Sequence, residues 1–332
     1  MSNNNIIELL KNEPSYRYTQ ILTEAYSKLI DDWEKATNLP LKLRKKLKEN
    51  FTLQVNGKII DSGRTDCLKA VIEFEDRILV ESVLLRHKDG RNTVCVSSQA
   101  GCVMDCLFCT TAATGFIRNL YSYEILAQLV FFQRVLGKEN KRITNVVFMG
   151  MGEPLINYEN TMEAIRILNN KHFFNIGQRK ISVSTSGIPT GIKNLADEGL
   201  QLNLALSINA PNDEIRKLIM PGASKYPLNE ILDSVRYYFE KTGRRIMFEY
   251  VLLKDINDKE EHAIELSGKI KDIEGFVNII PFNGKGIYTK PSFDTINSFK
   301  SVLMKQKINV TQRYEFGSDI SAACGQLVFR FN

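Results

Sequence analysis

No stretch of this 332-residue sequence approaches the roughly 18 consecutive apolar residues that cross a bilayer, so no membrane span is expected. The opening MSNNNIIELLKNEPSYRYTQ has no basic segment followed by an apolar core, so no secretory leader is read. Low-complexity segments and repeats of 20 to 50 residues are also missing, which argues against solenoids and long linkers. Histidine is scarce, with His87, His172 and His262 at no ligand spacing. Six cysteines with no secretory leader are expected to be metal ligands or catalytic thiols in the cytoplasm rather than disulfides. The charge of +6 and pI near 8.8 lean mildly toward an anionic partner and permit nucleic acid without requiring it.

What is present reads as α/β. Helical spacing prevails up to about Asn50, where LKLRKKLKEN gathers Arg44, Lys45, Lys46 and Lys48 as a solvated face or a phosphate-contacting patch. FTLQV, LKAVIEF and RILVESVLL then read as strands separated by turns at Asn56-Gly57, Ser62-Gly63 and Glu75-Asp76. A boundary is expected near Lys88-Asp89-Gly90, dividing an accessory region (1–90) from a core (91–332). Beyond it, strands over 92–98, 143–150, 180–186, 202–208, 245–253, 277–282 and 308–314 alternate with helices near 121–136, 157–169, 190–198, 227–241, 258–271 and 291–306. Repeated βα units predict a parallel sheet, open or closed, with its chemistry at the C-terminal strand ends.

The loop after the first core strand carries Cys102, Cys106 and Cys109 as C-x3-C-x2-C. Three thiolates are one short of a closed zinc site, whereas a [4Fe–4S] cluster on three cysteines keeps one iron open. A zinc knuckle with a distant fourth ligand and ordinary buried thiols are the alternatives.

With SSQAGC before these cysteines, GFIRNL after them, MGMGEP at 149–154, STSG at 184–187, LSINAPND at 206–213 and AACGQL at 322–327, the chain resembles the RlmN/Cfr family of radical S-adenosylmethionine RNA methyltransferases. The resemblance runs from about Glu81 to Leu327 and implies a partial (β/α)6 barrel with a small N-terminal helical and β-containing accessory domain. It implies a [4Fe–4S] cluster on Cys102, Cys106 and Cys109, and S-adenosylmethionine contacts at Gly152, Glu153, Ser184, Ser207, Ile208, Asn209 and Asn283. Where Asn209 sits, the family commonly has histidine.

The chemistry implied follows from the target. Carbon 2 of adenine lies between two ring nitrogens and is not a nucleophile, so a sulfonium methyl cannot be transferred to it directly. In the family, one S-adenosylmethionine methylates a cysteine and a second is cleaved to a radical that activates the methyl group. Here Cys324 matches the methyl-carrying cysteine, Cys95 the resolving cysteine that forms a transient disulfide with it, and Glu81 the proton acceptor. One more residue separates Glu81 from Cys95 than in the RlmN pattern. Read alone, Cys95 is a small core residue and Glu81 a solvated strand residue; Cys67 reads as structural.

The resemblance further implies 23S rRNA and tRNA as partners, a flavodoxin-like electron donor and a monomer. A Cfr-type enzyme acting on carbon 8 is the nearest alternative. A non-catalytic iron–sulfur or zinc RNA-binding protein is the alternative of a different class. Arg118, Lys180 and Arg313, near strand ends, read equally as RNA-phosphate contacts or solvated surface.

Overall fold

Ten strands form one sheet in the computed structural model, which describes residues 6, 8–11, 13–61, 66–283 and 287–313. Cys324 with the 322–327 motif, and the expected Ser62-Gly63 turn, lie outside the described residues. Three antiparallel strands lead: β1 (Asn56–Asp61), β2 (Cys67–Glu73) and β3 (Leu79–Arg86). β3 pairs antiparallel with β4 (Asn92–Cys95), and the connection holds Lys88-Asp89-Gly90. A small hairpin of β5 (Gln99–Gly101) and β6 (Phe116–Asn119) stands apart from the sheet.

From β4 onward the sheet is parallel, in the order β4, β7 (Asn145–Phe148), β8 (Ile181–Thr185), β9 (Asn203–Ser207), β10 (Ile246–Leu252), β11 (Gly275–Pro281) and β12 (Asn309–Gln312). The intervening helices complete six βα units, with β12 as a seventh strand, in keeping with the expected partial barrel. They are α3 (Ser122–Gly137), α4 (Tyr158–Asn169), α5 (Pro189–Asp197), α6 (Asp213–Ile219), α7 (Leu228–Thr242), α8 (Glu260–Ile270) and α9 (Phe293–Lys305), following α1 (Tyr16–Tyr26) and α2 (Leu41–Asn50). No described helix is long and apolar enough to cross a membrane.

Register decides which side chains face the inside of the curl. In β8, Ile181, Val183 and Thr185 are buried while Ser182 and Ser184 are half-buried, so the apolar alternate packs under the helices and the serines face inward. Paired residues share a face. Val83 pairs with Cys95, Cys95 with Val147, Val147 with Ser182, and Ser182 with Asn203. Farther along, Ser207 pairs with Glu249 and Glu249 with Asn278. Stepping by two along each strand puts Glu81, Cys95, Ser184, Ser207 and Glu249 on one face.

Two expectations in the N-terminal part are corrected. FTLQV is extended and alternates, with Phe51 and Leu53 buried and Thr52 and Gln54 exposed, but it joins no ladder. Side chains take its carbonyls instead: Trp33 Nε1 donates to Phe51 O at 2.7 Å and Arg134 Nη2 to Leu53 O at 3.1 Å. Asn56-Gly57 opens β1 rather than forming a turn, and Gly57 lies against Phe131, 2.7 Å from where a Cβ would stand.

Candidate active site

The cysteine loop hangs from the β5–β6 hairpin. Gly101 has φ +74 and an added Cβ would fall 1.7 Å from Gly115 O, so only glycine lets the two strands meet there. Cys102 N donates to Gly115 O at 3.2 Å and closes the loop. Its far side is pinned near α6: Leu107 N donates to Ile219 O at 3.0 Å, and Gly222 N to Met104 O at 3.1 Å. Inside the loop, Cys109 N donates to Cys106 O at 2.8 Å.

Cys102, Cys106 and Cys109 line one cavity with Gly152, Glu153, Ser184, Ser207, Asn209 and Asn283. Ile208 is buried and is the sole member of the expected contact set whose side chain is absent from that wall. Burial pushes the Cys102 thiol up to about 12 and the Cys106 thiol well above its ordinary value, with the neighbouring cysteines adding to both. No three His, Cys, Asp or Glu side chains among the described residues converge as ligands of a single metal ion. Thiolates on a cubane cluster each bind a different iron, so three thiols around one cavity fit such a cluster without that convergence.

Beside the cysteines, Gly152 at φ +98 packs on Gln99, whose Cβ lies 2.5 Å from an added Cβ. Gln99 Oε1 accepts from Glu153 N at 3.0 Å and aims the next side chain inward. The buried Glu153 carboxylate accepts Ser186 N at 2.7 Å, Ser186 Oγ at 2.9 Å and Leu155 N at 3.1 Å. Burial raises its pKa and these hydrogen bonds partly oppose the rise. A carboxylate so fixed can receive an ammonium group. Ser184 Oγ and Ser207 Oγ stand 3.4 Å apart at neighbouring strand ends.

Asn209 takes the left-handed conformation, φ +53, which asparagine tolerates. Its Oδ1 accepts from Val251 N at 2.9 Å and its carbonyl accepts from Asn257 Nδ2 at 2.7 Å. The side chain thus braces β9 against β10, a use distinct from any proton step.

The sequence reading missed Arg216, on the seven-residue helix α6. Asn212 before two acidic residues was the available signal, and its Oδ1 does cap Ile215 N at 2.9 Å. Arg216 is fully buried and donates to Ile208 O at 3.0 Å and to Ser186 O, joining the ends of β8 and β9. Burial lowers its pKa to about 10, while Cys106, Asp213 and Glu153 oppose the fall. Glu249 was missed as well. It is buried on the cavity wall, accepts from Asn278 Nδ2 at 2.9 Å and lies 3.7 Å from Arg313 Nη1.

The remaining basic residues sort differently. Arg313 lines the cavity, and Lys180 is exposed at the N-terminal end of β8, away from the cavity. Arg118 forks onto Glu124 at 2.7 and 2.8 Å and reaches Asp76 at 2.7 Å, so it is committed within the protein. Of the helix α2 cluster, Arg44 donates to Glu34 O and Lys48 pairs with Glu34 and Asp32, leaving Lys45 and Lys46 exposed.

Comparison with known proteins agrees with this geometry. The Radical SAM superfamily model matches residues 96–267. The probable dual-specificity RNA methyltransferase RlmN of Dictyoglomus thermophilum is 46% identical over 317 residues, covering 95% of this chain and 91% of the relative. The protein of the same description from Clostridium novyi is 43% identical over 319 residues, covering 95% and 92%. The crystal structure of a radical SAM methyltransferase from Sphaerobacter thermophilus superposes with a TM-score of 0.92 at 39% identity, covering 98% of this chain and 97% of that one. The chain belongs to the RlmN/Cfr family of radical S-adenosylmethionine RNA methyltransferases.

Proposed function

We propose that the protein methylates carbon 2 of an adenosine in the peptidyl-transferase centre of 23S rRNA and of the adenosine 3′ of the anticodon in tRNA. The observation that supports the reading is the shared face of Glu81, Cys95, Ser184 and Ser207, with the expected proton acceptor and resolving thiol on the same side of the sheet as two expected cofactor contacts. The naming of the relatives as probable dual-specificity RNA methyltransferases supports an RNA substrate.

Cys102, Cys106 and Cys109 would hold the cluster, and Gly152, Glu153, Ser184, Ser207, Ile208, Asn209 and Asn283 would bind S-adenosylmethionine, two of which would be used per turnover. Together these groups, when bound, supply the radical that takes hydrogen from the methyl group on Cys324. Cys324 presents the carbon, Glu81 accepts a proton from the base-bound adduct, and Cys95 closes a disulfide with Cys324 to release the product. Residues 1–90 form an accessory region whose exposed Lys45 and Lys46 suit RNA phosphates. The enzyme works as a cytoplasmic monomer with a flavodoxin-like electron donor.

The test is mass spectrometry of rRNA and tRNA after expression in a strain lacking its own enzyme. Carbon-2 methyladenosine is the expected product, and carbon-8 methylation alone would overturn the assignment. Cys95→Ala should trap a protein–RNA adduct and Cys324→Ala should form none; equal behaviour of the two would remove their roles.

A further inference from the structure

Lys69 is the second residue of LKAVIEF, a mostly apolar run, and the structure buries it: 4% of the residue is exposed. Its Nζ lies 2.9 Å from Oε1 of Glu81, itself 1% exposed. Register explains the meeting. On β2 and β3, Lys69 pairs with Val83 and Val71 with Glu81, so the two charges lie diagonally on one face. Val83 also pairs with Cys95, which puts the ion pair on the inward face beside the expected resolving thiol.

Stability does not account for such a pair. Moving an ammonium and a carboxylate out of water costs about as much as their attraction returns, and apolar residues of similar volume often do as well. A cation held against a buried carboxylate does, however, favour the ionised carboxylate. The described titratable groups on this face of β1 to β4 are Lys58, Cys67, Lys69, Glu73, Glu81 and Cys95, with Glu249 and Arg313 farther round the curl. Lys58 is exposed, and Glu73 is held at the far end of β2 by Asn56 and Arg77. Among the described residues of this face, Lys69 is the buried cation paired with Glu81.

We propose that Lys69 is a positioning residue that keeps Glu81 ionised and aimed inward, ready to take the proton from the RNA adduct. This rests on the proton-acceptor reading of Glu81 above. In the step, the C–H bond at the reacting carbon breaks, its electron pair stays with the base, and the proton passes to the Glu81 carboxylate, leaving a neutral acid beside the Lys69 ammonium. Without Lys69, the buried Glu81 carboxyl loses the adjacent cation that favours its ionised form and becomes a poorer base near neutral pH.

The experiment uses the full chain with its cluster reconstituted, Cys324 methylated, and an unmodified 23S rRNA domain transcript, and follows the protein–RNA adduct on denaturing gels. Glu81→Ala should retain adduct at every pH. Lys69→Met should retain it near about pH 7 and release it as the pH rises toward about 9, while Lys69→Arg should release it as the wild type does. Wild-type release by Lys69→Met near neutrality, or retention by Lys69→Arg, would overturn the proposal. So would adduct in Lys69→Met that persists at every pH. If the methionine variant forms no adduct, Lys69→Gln replaces it under the same criteria. Release by Glu81→Ala would instead overturn the proton-acceptor reading itself.

Discussion

One carboxylate oxygen of Glu153 accepts both the backbone N–H and the hydroxyl of Ser186, at 2.7 and 2.9 Å. These bonds hold a charge-bearing group in a buried wall, where burial raises its pKa above the ordinary 4.5. The ionised form is the one that receives an ammonium, so S-adenosylmethionine binding should weaken as pH falls through that raised value, before surface carboxylates titrate. For the unliganded chain the sign reverses. A carboxyl with a raised folded pKa contributes stability below its unfolded value and loses it as pH climbs through the folded one. Calorimetric titration of the cofactor across pH checks the first point. Ser186→Ala, removing one bond of about 1 kcal/mol, should weaken binding several-fold and move the acid limb upward.

Gly101 and Gly115 both have positive φ, but only one of them is crowded. Gly101→Ala places a methyl group 1.7 Å from Gly115 O, whereas Gly115→Ala meets nothing within 4 Å. The first should break the hairpin that carries the cysteines while sparing the ten-stranded sheet. Iron and sulfide bound after reconstitution should fall to a small fraction, with far-ultraviolet circular dichroism unchanged. Gly115, at φ +66 and ψ −175, lies in a region essentially confined to glycine, so Gly115→Ala should cost about 1–3 kcal/mol of backbone strain yet keep more iron than Gly101→Ala, since it meets no clash.

Arg216 joins two strand ends from a fully buried position. Arg216→Met leaves the carbonyls of Ile208 and Ser186 without that donor, at about 2–4 kcal/mol in all for charge-assisted bonds. Denaturant unfolding of the cluster-free chain should show this loss. Arg216→Lys, which reaches with one ammonium in place of a fork, should recover only part of it.

Burial keeps the thiols of Cys102 and Cys106 protonated in the cluster-free protein, because both pKa values are raised. Ligation to iron needs thiolates, so assembly must release protons. Reconstitution with iron and sulfide, followed by visible absorbance, should accelerate as pH rises from about 7 to about 9. Acidification should promote loss of iron to a chelator. A rate independent of pH would mean that thiol ionisation does not limit assembly.

Much of the site was legible because it is local in sequence. The cysteine spacing, the glycines of MGMGEP and the polar residues ending each strand can be read from a few neighbouring letters. Helix α6 was illegible because seven residues are too few to show a period, and with it went Arg216. FTLQV shows the limit of alternation as a signal: it records which side is buried and says nothing of where the backbone bonds go. Arg118 looked free to meet phosphate until Asp76, 42 residues earlier, was brought beside it.

By itself, the sequence determined the α/β alternation, the cysteine loop and the strand ends that carry polar groups, since period and spacing are properties of short stretches of chain. Only the tertiary structure decided which of those residues share a face. The side-chain period of a strand is two, so a register slip of one residue would turn Lys69 and Glu81 away from each other. Pairing also made Asn209 a brace between β9 and β10 and drew Arg216 beneath the ends of β8 and β9. These relations depend on long-range contacts, which no local pattern encodes.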